Sequence, residues 1–316
     1  MRHLQASFSG KNNIWRYIVM IIAVLVAANT VGAIPLYVSL IISAIKDPSA
    51  LKALSQNPND LSVLGLSQNM GLLVQLIPFL AGLATFIFIV KPLNQRSVGQ
   101  VINGNVPFRW NRFLASAAIW LLMSVIYLVV NMKTDPSNFS LNNRSLSLIP
   151  LILISVILIP FQAAFEEILF RGYLMQGFTA MARNAFMPLI STALLFGLMH
   201  GLNPEVKEFG FWTMLPQYMV FGIIFGIITI LDDGIEAAIG AHAANNAFLC
   251  IMITNESSAL QTPAMFVQHK IYPWTEFAMM LVMGVVILLV MKKIFKWGSF
   301  MKIFGRVEKE EVVQVP

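Results

Sequence analysis

Apolar runs long enough to cross a lipid bilayer constrain this chain more than any other feature. They extend over about Tyr17–Ile45, Met70–Val90, Phe113–Met132, Leu146–Ala182, Phe211–Leu231 and Thr275–Met291. Two further helices, one from a hairpin turn near Arg183-Asn184 to His200 and one from Ile235 to Thr254, bring the expected spans to eight. Roughly 20 apolar residues cross a hydrocarbon core of about 30 Å. Lipid cannot hydrogen-bond a bare backbone, so such runs must be helices or closed barrels, and runs of this length and continuity are helical. The expectation is an all-α, polytopic membrane helix bundle of about eight transmembrane helices. With 57% hydrophobic and only 11% charged residues among 316, the composition excludes an ordinary soluble domain.

Three regions follow: 1–145 with three spans, 146–256 as a catalytic core, and 257–316 with the last span and a basic tail. Pro35 marks a kink in the first span, and Pro160 is positioned to bend the fourth. The net charge of +6 comes from Lys and Arg placed between spans, where they set topology and do not indicate a nucleic-acid partner. Lys91, Arg96, Arg109 and Arg112 mark one cytoplasmic linker, and Lys292, Lys293, Lys296, Lys302 and Arg306 follow the last span. Eight spans place both termini in the cytoplasm, most simply of a bacterial cell with the chain in its cell membrane. The single cysteine, Cys250, excludes an intramolecular disulfide and a thiolate zinc cluster.

Against this background, Glu166, Glu167 and Arg171 are three ionisable residues inside one apolar stretch, where charge is costly and usually functional. On a helix Glu167 and Arg171 stand at i and i+4, the favourable order for an ion pair, while Glu166 points about 100° away and stays free. Counting residues from the Arg183-Asn184 turn brings His200 level with this acidic pair at about 1.5 Å per residue. His242 and Asn246 lie on one face of the seventh helix. Glycines at 222 and 226 supply a close-packing face.

A glutamate that accepts a proton from water, a histidine that orients the same water, and a second histidine with an asparagine donating to an oxyanion together make a hydrolytic site. Glu166, His200 and His242 could instead hold zinc or another divalent metal, which would acidify bound water. The residue types leave both routes open. A His-Glu-x-x-His zinc motif, a nucleophile elbow and a phosphate-cradling glycine loop are absent from the sequence. Asp232-Asp233-Gly234-Ile235-Glu236 has the look of a diphosphate-binding acidic motif, but as a single cluster it reads as an exposed interhelical turn.

The succession Glu166-Glu167-x-x-x-Arg171, Phe196-x-x-x-His200 and His242-x-x-x-Asn246 resembles the CAAX prenyl protease and bacteriocin-processing family (CPBP, or Abi) of intramembrane proteases. It is similar to type II CAAX prenyl endopeptidases over about Pro150 to Met252. The resemblance implies an eight-helix bundle around a polar cavity, with water activated by Glu166 and His200 and the oxyanion held by His242 and Asn246. Glu167 and Arg171 would support the site, and Phe196 would pack beneath His200. The family has been described both as metalloproteases and as metal-independent glutamic proteases, and the metal-free description is preferred here. The implied substrate is a membrane-associated peptide or protein, lipidated or bacteriocin-like. Two other functions compete: a non-catalytic bacteriocin self-immunity or membrane scaffold protein, and a proton-coupled transporter. A transporter would place polar groups in both halves of the chain, whereas here they gather in one.

Overall fold

A computed structural model describes residues 1–56, 60–142, 146 and 148–309. The helices in chain order are α1 Arg2–Gln5, α2 Ile14–Asn29, α3 Ile34–Lys46, α4 Ser49–Gln56, α5 Gln68–Asn94, α6 Val98–Asn103 and α7 Trp110–Thr134. They continue as α8 Leu148–Glu167, α9 Met175–Ala182, α10 Phe186–Met199, α11 Pro204–Phe209, α12 Phe211–Asp232, α13 Glu236–Met252 and α14 Pro273–Phe295. The protein is a helical membrane bundle. Among the described residues, six helical stretches are long and apolar enough to span a bilayer: Ile14–Lys46, Gln68–Asn94, Trp110–Thr134, Leu148–Ala182, Phe211–Asp232 and Pro273–Phe295. The other two expected spans are short. With 14 residues α10 reaches only about 21 Å, and α13 with 17 about 26 Å.

Several local expectations are corrected. The first span is not one bent helix: the chain leaves α2 at Thr30 and restarts at Ile34, with Pro35 in the first turn of α3, where its missing N–H costs nothing. The stretch after His200 contains α11. Three short strands accompany the helices in a sheet of order β1-β3-β2, in which β1 Phe139–Leu141 pairs antiparallel with β3 Phe266–Gln268 and β2 Ile253–Thr254 pairs parallel with it.

Helix α13 is the hub of the bundle, lying against α7, α8 and α12. Its closest approach is at Gly240, where an added Cβ would collide with the carbonyl oxygen of Phe113 on α7. Gly222 allows α12 a similar approach to α10, since a Cβ there would stand 2.7 Å from Ala193 Cα. This backbone contact is the dispersion packing that joins helices in lipid, where no hydrophobic drive separates them from solvent.

The two termini meet at one end of the bundle. Leu4 packs with Ile303 and Val307 in one apolar cluster, and Asn184 bridges to Arg306. The Asp232-Asp233-Gly234 turn lies at the same end and is not the exposed turn expected. Arg109 binds both carboxylate oxygens of Glu236, at 2.9 and 2.6 Å, and stands 3.2 Å from Asp232. Trp297 donates to Asp232 at 2.7 Å, and Asp233 accepts the backbone N–H groups of Arg2 and His3, capping α1. Arg109 and Arg112 neutralise acids here and are not bare topology signals. Arg96 is likewise fully buried, donating to Gln176 and to the Tyr17 hydroxyl.

Candidate active site

Helix α8 delivers Gln162, Glu166 and Glu167, and the backbone then widens into a π-helix over Ile168–Leu174 before α9 resumes. A π segment shifts the i→i+4 bonding by one residue and is common at functional sites. Here the N–H of Met175 reaches back to the Phe170 carbonyl. The Arg171 carbonyl accepts from His3 Nε2 at 2.9 Å, so the N-terminal segment closes onto this irregular turn.

Glu167 and Arg171 are both fully buried, with Arg171 NH1 3.0 Å from Glu167 Oε1. The guanidinium also lies 4.3 Å from the centre of the Phe196 ring. The same Glu167 oxygen is 2.8 Å from His242 Nδ1. An ionised carboxylate only accepts, so Nδ1 carries a proton and donates to Glu167. That leaves Nε2 to face the other acid, at 3.6 Å from Glu166 Oε2. The imidazole plane is fixed by Phe225, stacked on it at 4.9 Å with an interplanar angle of 15°.

Glu166 is held from the other side. Gln162, one turn earlier on α8, donates to its Oε1 at 2.7 Å and accepts from Asn246 Nδ2 at 3.0 Å. The Oε2 atom is buried and makes no hydrogen bond to the protein. One oxygen of Glu166 is therefore tethered while the other points toward His242 and remains free to react.

His200 stands at the C-terminal end of α10. Its Nδ1 donates to the Phe196 carbonyl at 2.7 Å, and its ring stacks on Tyr218 at 4.6 Å. Phe196 touches both imidazoles, 4.4 Å from His200 and 6.2 Å from His242 between ring centres. Among the described residues no hydrogen bond or ion pair joins His200 to Glu166 or Glu167, although residue counting had placed them level. Glu205 lies below the Tyr218 side of this ring: the Tyr218 hydroxyl donates to its Oε2 at 3.4 Å and Ala259 N–H to its Oε1 at 3.0 Å. Burial pushes the Glu205 carboxyl above its ordinary value, against the lowering effect of these donors and of His200.

Of the residues expected from sequence, Glu166, Glu167, Arg171, His242 and Asn246 thus form one connected cluster, with Phe196 linking it to His200. The trio proposed for zinc does not assemble: Glu166 and His242 approach each other, His200 does not join them, and no group of three His, Cys, Asp or Glu donors occurs among the described residues. Sequence reasoning missed Gln162, Glu205 and Tyr218. Only Gln162 carried a signal, a polar residue one turn before Glu166 on an apolar helix.

The geometry can be set beside known proteins. Residues 145–248 match the family model described as type II CAAX prenyl endopeptidase Rce1-like. That segment, about a third of the chain, is similar to this family. The Rce1-like segment contains every residue of the cluster above and His200, so the likeness to CAAX-type proteases falls on the site itself. An uncharacterized protein of Bacillus subtilis (strain 168), YyaK, is 28% identical over 251 residues, covering 79% of this chain and 81% of its own length. No solved structure matches.

Proposed function

We propose that this protein is an intramembrane endopeptidase that hydrolyses a peptide bond in a membrane-associated substrate, with Glu166 activating the attacking water. The observation that carries this reading is Glu166 Oε2, buried, free of protein hydrogen bonds and 3.6 Å from His242 Nε2. Water placed between Oε2 and the scissile carbonyl loses a proton to Oε2 as its oxygen attacks the carbonyl carbon. The resulting oxyanion receives the second N–H of Asn246, whose first is given to Gln162. His242, whose Nδ1–H is anchored on Glu167, turns Nε2 toward the same site and donates there when that nitrogen carries a proton. Collapse of the intermediate breaks the C–N bond, and the proton on Glu166 leaves with the amine. His200 keeps an acceptor lone pair on Nε2, since Nδ1–H is given to Phe196, and this suits it to orient the water.

The family description makes a prenylated C-terminal peptide the first substrate to test, with unmodified and bacteriocin-like membrane peptides as comparators. No step requires a metal. The basic residues beside the meeting point of the two termini favour placing that end in the cytoplasm of a bacterial cell. The test is cleavage of such tethered peptides by the full-length protein in lipid nanodiscs. Wild type should cleave at least one peptide, and Glu166→Gln should lose about 100-fold or more in kcat, the scale of general-base catalysis. Equal turnover by both proteins would overturn the assignment, and an immunity or scaffold function unaffected by Glu166→Gln would replace it.

A further inference from the structure

Beyond Glu166 the cluster continues through side chains that none of the three motifs contains. Trp120 of α7 is fully buried, and its indole Nε1–H donates to Asn245 Oδ1 at 3.1 Å. Asn245 Nδ2 donates to Asn246 Oδ1 at 3.0 Å, Asn246 Nδ2 to Gln162 Oε1 at 3.0 Å, and Gln162 Nε2 to Glu166 Oε1 at 2.7 Å.

Amide groups can ordinarily be turned end for end, because nitrogen and oxygen are nearly the same shape. This series has no such freedom, because it is fixed at both ends. An indole N–H can only donate, so Asn245 must present its oxygen to Trp120 and its NH2 to Asn246. Asn246 must then accept with its oxygen and donate onward, as must Gln162. At the far end an ionised carboxylate can only accept, which the orientation satisfies. Reversing any one amide would set donor against donor or acceptor against acceptor at two places, in surroundings where an unsatisfied polar group is expensive.

We infer that Trp120, Asn245 and Gln162 form a one-way hydrogen-bond chain that positions Asn246 and Glu166, holding the amide's NH2 toward the reacting carbonyl and tethering one carboxylate oxygen so that the other is the base. The inference rests on the roles given to Glu166 and Asn246 under the proposed function. Trp120, Asn245 and Gln162 are positioning residues. Trp120 acts through three intervening amides, and its ring is kept in place by Phe225, 5.3 Å away between centres.

The chain is tested first without substrate. Full-length protein with isotope-labelled glutamate is studied by infrared spectroscopy in nanodiscs, and the Glu166 carboxylate band is isolated as the difference between wild type and Glu166→Gln. Gln162→Met, which keeps length and removes both amide functions, should move that band. Trp120→Phe, which keeps an aromatic ring and removes the donor, should move it in the same direction by a smaller amount. An unmoved band in Trp120→Phe would break the chain at its origin and overturn the inference, a result that stands even where Gln162→Met fails to fold. With a cleavable peptide, Gln162→Met should lower kcat about tenfold or more with KM nearly unchanged, the cost of one hydrogen bond to a charged group. The added loss from Trp120→Phe should be smaller in that background than in wild type, because coupled residues are not additive. Full multiplicative loss would make the contacts independent packing and refute the chain. If Glu166→Gln cleaves like wild type, the proposed function fails; if Glu166→Gln is inactive while Gln162→Met turns over normally, only this inference fails.

Discussion

Replacing Arg171 by methionine removes a fully buried guanidinium beside the site while keeping a long apolar side chain over Phe196. The guanidinium is fully buried, 3.0 Å from Glu167, and stacked 4.3 Å from the Phe196 ring. Without it Glu167, also fully buried, keeps only the His242 Nδ1 proton as a partner. Breaking a buried pair by removing one member costs about 3–5 kcal/mol, because the other charge is stranded. Loss of the cation over an aromatic face adds about 1 kcal/mol. The expected destabilisation is therefore about 4–6 kcal/mol. It can be read from reversible unfolding in mixed micelles, or as a fall in thermal midpoint where unfolding is irreversible. The decisive comparison is the double variant with Glu167→Gln, which removes the stranded charge and should recover much of the loss. A cost for Arg171→Met below about 1 kcal/mol, or a double variant no more stable than the single one, would show that the pair is not charged in the fold and would refute the reasoning.

Gly240→Ala gains about 1 kcal/mol of helix propensity but drives a methyl group into the Phe113 carbonyl and to 2.5 Å from Ser116 Oγ. Because backbone stands in the way, overpacking of about 1–3 kcal/mol should prevail, lowering the unfolding midpoint and, through His242 two residues on, kcat; an unchanged midpoint would count against the α7–α13 contact. Burial holds the His3 imidazole below its ordinary value of 6.5, against the raising effect of its bond to the Arg171 carbonyl. The neutral form is the one favoured by folding, so its contribution is complete above 6.5 and is lost as pH falls through that value toward the lowered one. The protection of residues 1–8 against hydrogen exchange, relative to the intrinsic rate at each pH, should therefore fall on acidification below 6.5 in wild type and lose that dependence in His3→Gln; identical profiles would refute it. Prolonged dialysis against a chelator should leave peptide cleavage unchanged, and loss of activity restored by zinc would replace the water-activating role of Glu166 by a metal route.

Most of the bundle was legible because lipid imposes a simple code: apolar runs had to be helices, and charge inside them had to turn inward. The pairing of Glu167 with Arg171 followed from i,i+4 geometry, even though the backbone after Glu167 is π-helical, because the offset of one residue still leaves the two side chains 3.0 Å apart. Among the described residues His200 makes no direct bond to the glutamates. Counting along two straight helices ignores that α10 ends at Met199 and that the ring is drawn aside by its own Phe196 carbonyl and by Tyr218. The buried acids at 232–236 were misread for a related reason. Their partners Arg109 and Trp297 lie more than 60 residues away in opposite directions along the chain, and local sequence shows only a turn.

The misreading of these acids shares a physical origin with the chain from Trp120 to Glu166. Motif reading finds residues whose own chemistry is conspicuous, such as an acid in lipid or a histidine on an apolar face. It passes over neutral amides and an indole, which are inconspicuous singly and acquire a direction only when the fold puts donor against acceptor. In a bilayer that direction is enforced strongly, because a reversed amide has no water to turn to. The reactive atoms are thus specified by their type in α8 and α13, but the choice of which Glu166 oxygen is free is made in α7. For that reason a substitution at Trp120, outside the family's matched segment, should be felt at the carboxylate.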